Sequence, residues 1–258
     1  MAYEVLATAD TPALIVYLLD VSGSMNLQLG NMRRIDVLTD ALSEVIRKLI
    51  YRSTKGASIA SRYRIAMIAY SDEPYDLLDG VKGIDYLATL GVPDLVPMRL
   101  TATAKAFAVA EQILLSELAS VAHCPAPLVC HLTDGESTGE NPEPVVRRIQ
   151  QMRVADGPVL VENIYLSDNI VPGAIQDVRQ WRGIFPDSPL SGDYARRLRA
   201  MSSPLPETYR DRLRAEGYQL ESGALMMLPG QSPELVSLGF QMSGLSGLPI
   251  APPPRQSW

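Results

Sequence analysis

Three side chains that carry oxygen atoms lie at alternate positions in the stretch from residue 20 to residue 24. Asp20 contributes a carboxylate, and Ser22 and Ser24 contribute hydroxyls. Oxygen ligands with no His or Cys among them suit a hard cation such as Mg²⁺ or Mn²⁺. The stretch therefore predicts a site for a divalent metal ion.

This stretch directly follows an unbroken apolar run at residues 13–19. An apolar run that ends in a polar turn with a glycine, here Gly23, is typical of a parallel strand buried on both faces. Ligands of open α/β sheets bind outside the carboxyl ends of the strands. We therefore expect Asp20 to lie at the ligand-binding edge of a sheet.

Strand-like and helix-like patterns alternate along the chain after this first strand. Further strands are predicted at residues 63–70, 75–78, 128–132 and 159–166, and helices at 35–51, 84–90, 104–121 and 141–153. The alternation predicts an α/β fold with a doubly wound, Rossmann-like, mostly parallel sheet flanked by helices. Prolines and glycines become frequent after residue 167, where we predict only short helices at 194–201 and 207–216.

The chain of 258 residues is long enough for one large α/β domain with an appendage. We predict a domain at residues 1–168 and a helical C-terminal extension at 169–245 that packs on it. Residues 246–258 include three consecutive prolines and are predicted to be a mobile tail.

Composition and charge argue against several classes of partner. The net charge is −6, and no dense basic run is present, so no nucleic-acid partner is expected. The first apolar run is too short to cross a bilayer and no basic leader precedes it, which predicts a cytoplasmic protein with no membrane partner. Two cysteines, Cys124 and Cys130, make only a weak case for zinc.

Two later stretches carry residues that can complete the metal site. Thr101 lies just before the second long predicted helix, and Asp134 follows the third buried strand. Thr103 is a rival to Thr101, and Glu136 is interpreted as a surface acid. Two carboxylates would balance a divalent cation, while hydroxyl ligands leave it able to share its coordination with an outside group.

In this order the motifs resemble the von Willebrand factor A domain and its metal-ion-dependent adhesion site. Residues 20–24 match the Asp-x-Ser-x-Ser motif at every defined position, and Thr101 and the Thr-Asp-Gly motif at 133–135 follow in the right order. The resemblance covers about residues 12–168. One departure is that Arg99 and Leu100 precede the threonine, where a glycine is often found.

The resemblance implies a specific ligand set. Ser22, Ser24 and Thr101 would bind Mg²⁺ or Mn²⁺ directly, and Asp20 and Asp134 would bind it directly or through water. An Asp or Glu of a partner protein would fill the open position on the ion. The implied function is a metal-dependent protein-binding module, which is not an enzyme.

The C-terminal segment adds a second, less specific resemblance. Residues 201–206, Tyr209 and residues 216–218 look like the tail of bacterial single-domain proteins of the TerY type, which are linked with tellurite resistance and with stress or conflict systems. This resemblance implies a cytoplasmic adaptor that works with an ATPase, kinase or phosphatase of the same system.

Two other functions are open at this point. A Mg²⁺-dependent hydrolase or phosphatase could use the carboxylates and the ion to activate water. It would need a general base, and a triad of Ser24, His131 and Asp134 is disfavoured because the last two side chains diverge at a strand end. A structural subunit with a degenerate site is the third reading, and the five matching side chains argue against it.

Overall fold

The computed structural model describes residues 3–98, 100–135, 139–167 and 169–247. Its central sheet has seven strands: β1 (Ala13–Asp20), β2 (Tyr63–Tyr70), β3 (Pro74–Asp76), β4 (Lys82–Gly83), β5 (Leu128–Thr133), β6 (Leu160–Tyr165) and β7 (Met227–Pro229). The strand order is β7-β6-β5-β1-β2-β3, and β4 also pairs with β2. The strands from β7 to β2 run parallel, while β3 and β4 are antiparallel to β2.

Seven α-helices lie in the described ranges: α1 (Arg34–Ser53), α2 (Ile84–Leu90), α3 (Thr103–Glu117), α4 (Glu143–Gln151), α5 (Asp193–Ala200), α6 (Glu207–Ala215) and α7 (Pro233–Ser243). The same ranges hold three small hairpins, Gln28–Leu29 with Met32–Arg33, Thr54–Lys55 with Ser58–Ile59, and Arg153–Val154 with Gly157–Pro158. Gly23–Asn26 and Leu245–Gly247 form short 3-10 turns.

β1 lies in the middle of the sheet, and all eight of its residues are buried. Its side chains alternate between two cores. Ile15 and Tyr17 join the core that includes α1 and α7, whereas Leu14 and Val16 join the core that includes α3 and α4. Helices therefore cover both faces, as a buried parallel strand requires. The predicted α/β class with a doubly wound, mostly parallel sheet is confirmed.

The C-terminal third differs from the prediction of short helices alone. β7 extends the central sheet in parallel with β6, and α7 packs in the core on the α1 face. Neither element was predicted. For β7 the reason is that a strand of three residues is too short to show periodicity. The start of α7 does carry a helix signal: Ser232 caps it by accepting from the Leu235 N–H at 3.4 Å, and Pro233 follows.

Two further differences concern element ends. α3 ends at Glu117, four residues before the predicted end, and α4 ends at Gln151, two residues before it. The predicted domain boundaries at residues 168 and 245 stay predictions. Of the predicted tail, residues 248–258 lie outside the described residues.

Among the described helices, none combines the length and the apolar character needed to cross a membrane.

Candidate metal centre

Asp20 and Thr133 end two neighbouring parallel strands, β1 and β5, and their side chains meet at the carboxyl edge of the sheet. The Thr133 hydroxyl donates to Oδ2 of Asp20 at 2.7 Å. The backbone N–H of Ser22 donates to Oδ1 of the same carboxylate at 2.8 Å. Asp20 is fully buried. Both of its oxygens are therefore held in place by donors from the protein.

The side chains of Ser22, Ser24 and Asp134 form one cluster at this edge. The two serine oxygens lie 3.0 Å apart. Ser24 donates to Oδ1 of Asp134 at 2.7 Å, and Ser22 Oγ lies 3.4 Å from the same oxygen. The turn after β1 and the loop after β5 thus bring residues more than a hundred positions apart into contact.

A buried methionine anchors the turn that presents the serines. Met25 lies in the 3-10 turn Gly23–Asn26 and is fully buried in the core. Its N–H donates to the carbonyl of Ser22 at 3.1 Å, and the N–H of Leu27 donates to the carbonyl of Ser24 at 2.8 Å. The buried side chain of Met25 and these two backbone hydrogen bonds hold the turn in place, and with it the serine hydroxyls beside Asp134.

Thr101 lies in the loop before α3, and two short backbone hydrogen bonds tie this loop to the same edge. The N–H of Met98 donates to the carbonyl of Val21, which follows Asp20, at 2.6 Å. The N–H of Ala102 donates to the carbonyl of Ser71, which follows β2, also at 2.6 Å. The loop before α3 is therefore the third segment at this edge of the sheet, and Thr101 is buried in that loop.

Thr103, the rival to Thr101, is the first residue of α3 and is fully buried. Burial raises the pKa of Tyr70 and of Tyr194, and the Thr103 hydroxyl is among the neighbours that oppose this rise. Thr103 thus lies with these two tyrosine hydroxyls inside the protein. The Thr103 hydroxyl is buried without a hydrogen-bond partner among the described residues, so Thr103 stays a rival to Thr101 as the candidate ligand. Glu136 lies outside the described residues.

An arginine that the sequence did not single out joins the cluster. Nη1 of Arg34, the first residue of α1, lies 2.9 Å from Oδ2 of Asp134. The backbone N–H of Arg34 donates to the carbonyl of Leu27 at 2.9 Å, which fixes the start of α1 next to the serine turn. A single arginine near the start of a helix is common in protein sequences, so its position did not indicate the pair of Arg34 with Asp134.

Two carboxylates close together make the cluster favourable for a cation. Burial raises the pKa of the Asp20 carboxyl to about 6. Hydrogen bonds from Thr133 and Ser22 oppose this rise, and the charge of Asp134 adds to it. A divalent cation between the two carboxylates would offset the desolvation cost of the buried charge and the repulsion between the two acids.

The oxygen atoms present fit a hard divalent ion. Octahedral Mg²⁺ with bonds of about 2.1 Å places neighbouring ligand oxygens about 3.0 Å apart. The separation of the Ser22 and Ser24 oxygens is 3.0 Å, and that of Ser24 Oγ and Asp134 Oδ1 is 2.7 Å. Over the described ranges, no three His, Cys, Asp or Glu side chains cluster as a metal-binding group. A site here would therefore depend on its hydroxyls.

His131 belongs to a separate buried network. Its Nε2 lies 2.7 Å from the Tyr70 hydroxyl and its Nδ1 lies 2.8 Å from Oδ1 of Asn163. Burial lowers the pKa of His131 to about 4, so the ring is neutral near pH 7. Both ring nitrogens are engaged away from Ser24, which itself donates to Asp134. The triad of Ser24, His131 and Asp134 does not form.

Large apolar side chains are exposed around the candidate site. Leu27, in the residues just after the serine turn, is 56% exposed. Met98 and Leu100, in the loop that carries Thr101, are 46% and 51% exposed. Beside this loop is a cleft of about 490 Å³, lined by Leu100 and by the charged side chains Asp72 and Lys105 among others. The segments that carry the candidate site therefore expose apolar side chains that a protein contact could bury.

A scan against models of known protein families and a search of curated proteins each found no match. Solved structures are similar in fold. A von Willebrand factor type A structure from Catenulispora acidiphila has 15% identity and a TM-score of 0.51, covering 95% of this chain and 48% of its own. This likeness shows the fold.

Two further structures are similar over shorter stretches. The vWF domain of the pili tip protein Mfa5 from Porphyromonas gingivalis has 20% identity, a TM-score of 0.38, and coverage of 49% and 39%. Proximal thread matrix protein 1 from the mussel byssus, with a zinc-occupied MIDAS motif, has 16% identity, a TM-score of 0.43, and coverage of 63% and 37%. This chain spans less than half the length of each of the three structures.

Proposed function

We propose that this protein is a metal-dependent protein-binding module that captures an acidic side chain of a partner protein. The observation that carries the proposal is the cluster in which Ser22 and Ser24 hydroxyls meet the Asp134 carboxylate beside buried Asp20. A cluster of neutral hydroxyls and two acids at the carboxyl edge of a parallel sheet suits a shared cation better than a closed cage.

The proposed ion is Mg²⁺ or Mn²⁺. Ser22, Ser24 and Thr101 would hold it through hydroxyls, and Asp20 and Asp134 through carboxylates or water. When bound, the ion supplies a positive charge with a coordination position that an outside carboxylate can fill. Thr133 orients Asp20, and buried Met25 holds the serine turn in place.

The surface near the cluster favours a protein as the source of that carboxylate. Leu27, Met98 and Leu100 are about half exposed on the segments that present the site. Apolar side chains around a polar centre are typical of a protein interface, because they contribute area that a small anion would not bury. The proposed partner therefore presents an Asp or Glu together with apolar neighbours.

We also propose that the protein is not an enzyme. The hydrolase or phosphatase alternative needs a base that can reach a metal-bound water. The two ring nitrogens of His131 bond to Tyr70 and Asn163 in the interior, so His131 does not supply this base. No observation of the described residues favours the alternative.

We propose that the protein acts as a cytoplasmic adaptor of a bacterial stress or conflict system, together with an ATPase, kinase or phosphatase. The free thiols of Cys124 and Cys130 are both buried, which suits a reducing compartment. The setting otherwise depends on the resemblance to TerY-type proteins.

Affinity capture from a bacterial extract followed by quantitative binding tests the proposal. Partners identified by mass spectrometry would be purified and titrated against the protein in Mg²⁺ and in EDTA. EDTA and the Asp20→Ala, Ser22→Ala double variant are each expected to weaken binding at least about tenfold, as loss of one charge-mediated contact does. Ser116→Ala, an exposed hydroxyl on α3, is the control. Undiminished binding by the double variant would contradict the proposal.

A further inference from the structure

The two oxygens of the Asp134 carboxylate have different partners. Oδ1 accepts from Ser24 at 2.7 Å, within the candidate metal cluster. Oδ2 pairs with Nη1 of Arg34 at 2.9 Å. The Asp134 side chain is fully buried and the Arg34 side chain is 14% exposed. One acid is thus shared between the candidate metal position and a buried fixed cation.

Arg34 differs in this respect from its neighbour Arg33. Arg33 makes a two-point pair with Asp36, three residues on, and these side chains are 50% and 40% exposed. Arg34 instead reaches a residue one hundred positions away. Its Nε is buried and has no hydrogen-bond partner among the described residues. The guanidinium is therefore held in the interior chiefly through Asp134.

The charges explain what Arg34 does to the cluster. Asp20 and Asp134 are both buried at this edge of the sheet. A buried carboxylate that loses its counter-ion is strongly destabilising. Arg34 supplies that counter-ion to Asp134 while no metal is bound. A guanidinium this close to the candidate ion also repels it, and burial keeps the repulsion from being screened.

We propose that Arg34 is an internal competitor of the metal ion, which stabilises the metal-free site and lowers its affinity for the cation. The inference depends on the proposed function, because it takes Ser22, Ser24 and Asp134 as the metal cluster. With Arg34 in place, an ion binds to a cluster whose second acid is already partly neutralised. A weakly held ion makes capture of a partner sensitive to the metal concentration.

Calorimetric titration of Mn²⁺ into the purified full chain tests this directly. Arg34→Met removes the charge and replaces the aliphatic part of the arginine with another unbranched chain. This variant is expected to bind Mn²⁺ about tenfold more tightly than the unmodified protein. Arg34→Lys keeps the charge and is expected to remain within about threefold. Arg33→Met, which removes the exposed neighbouring charge, is the matched control and is expected to leave the affinity unchanged.

Thermal melting without and with Mn²⁺ gives a second readout besides calorimetry. Without metal, Arg34→Met is expected to melt below the unmodified protein, since Asp134 is left unpaired. With saturating Mn²⁺ this difference is expected to vanish. Arg34→Gln keeps a hydrogen-bond donor and serves in the same two measurements if the methionine variant does not fold.

The outcomes separate the two proposals. Mn²⁺ affinities of Arg34→Met and Arg34→Gln that equal or fall below that of the unmodified protein would overturn the role of Arg34 and leave the metal site intact. No Mn²⁺ binding by either the unmodified protein or Arg34→Met, or equal binding by a Ser22→Ala, Ser24→Ala variant, would overturn the metal site itself.

Discussion

The hydroxyl of Thr133 donates a 2.7 Å hydrogen bond across the sheet to Oδ2 of Asp20. The two residues end neighbouring parallel strands, so the geometry of the sheet itself fixes the first acid of the candidate site. Thr133 also lies directly before Asp134. One short segment therefore orients both carboxylates.

Thr133→Val removes this donor with little change of shape. The loss raises the pKa of Asp20 further, because a hydrogen bond to the charged carboxylate is gone. Hydrogen bonds to charged groups contribute about 1.5–3 kcal/mol, so Mn²⁺ affinity at neutral pH is expected to fall about tenfold or more. Calorimetric titration measures it. Thr39→Val, which removes a hydroxyl bonded to the Ile35 carbonyl within α1, is the control. An unchanged affinity in Thr133→Val would contradict this role.

Gly239→Ala tests whether α7 is packed against the sheet as described. A Cβ at Gly239 would lie 2.5 Å from Cδ1 and 2.7 Å from Cγ1 of Ile164, a buried residue of β6. Overpacking of this kind costs about 1–3 kcal/mol, which exceeds the gain of about 1 kcal/mol from replacing a helical glycine. Urea unfolding is expected to show a net loss of stability.

The control for that variant is Gly139→Ala, where an added Cβ would meet nothing within 4 Å among the described residues. Its free energy of unfolding is expected to stay close to that of the unmodified protein. If Gly239→Ala is as stable as this control, close packing of α7 on β6 is wrong.

Glu162 lies in β6 opposite Cys130 and is fully buried. Its carboxylate oxygens have no hydrogen-bond partner among the described residues. Burial raises its pKa well above the value of 4.5 expected for the unfolded chain. Between these two pKa values the unfolded chain loses the proton and the folded protein keeps it. The contribution of Glu162 to the free energy of unfolding is therefore fully present below pH 4.5 and is lost as the pH rises to the folded pKa.

Glu162→Gln cannot ionise in either state. Relative to the unmodified protein, its free energy of unfolding is expected to rise by about 1.4 kcal/mol per pH unit from about pH 5 up to the folded pKa of Glu162. Urea unfolding at a series of pH values measures the difference. Glu140→Gln, on an exposed loop, is expected to follow the unmodified protein at every pH. A Glu162→Gln difference that is constant with pH would show that this carboxyl is ionised in the folded protein.

The central part of the fold follows from simple sequence patterns. The apolar run before Asp20 has no polar position, and a strand of that kind needs helices on both faces. The amphipathic pattern of residues 35–51 matched α1 to within two residues at each end. The resemblance of the motifs to the von Willebrand factor A domain implied that Ser22, Ser24 and Asp134 share one site, and these side chains are in contact in the structure. Their binding of a metal stays a prediction.

Other parts of the site depend on contacts that no local pattern encodes. The pair of Arg34 with Asp134 joins residues one hundred positions apart, and it forms because the hairpin before α1 directs the helix start towards the cluster. Burial of Glu162 depends on its place in β6 between two covered faces. β7 is three residues long and owes its strand form to pairing with β6, not to its own composition.

A crystal structure of the protein grown with Mn²⁺ would locate the ion at the candidate metal centre, because Mn²⁺ has an anomalous signal. We expect one anomalous peak at about 2.2 Å from the hydroxyl oxygens of Ser22, Ser24 and Thr101, with the Asp20 and Asp134 carboxylates in contact directly or through water. No peak at this edge of the sheet, with Mn²⁺ bound elsewhere or not at all, would contradict it.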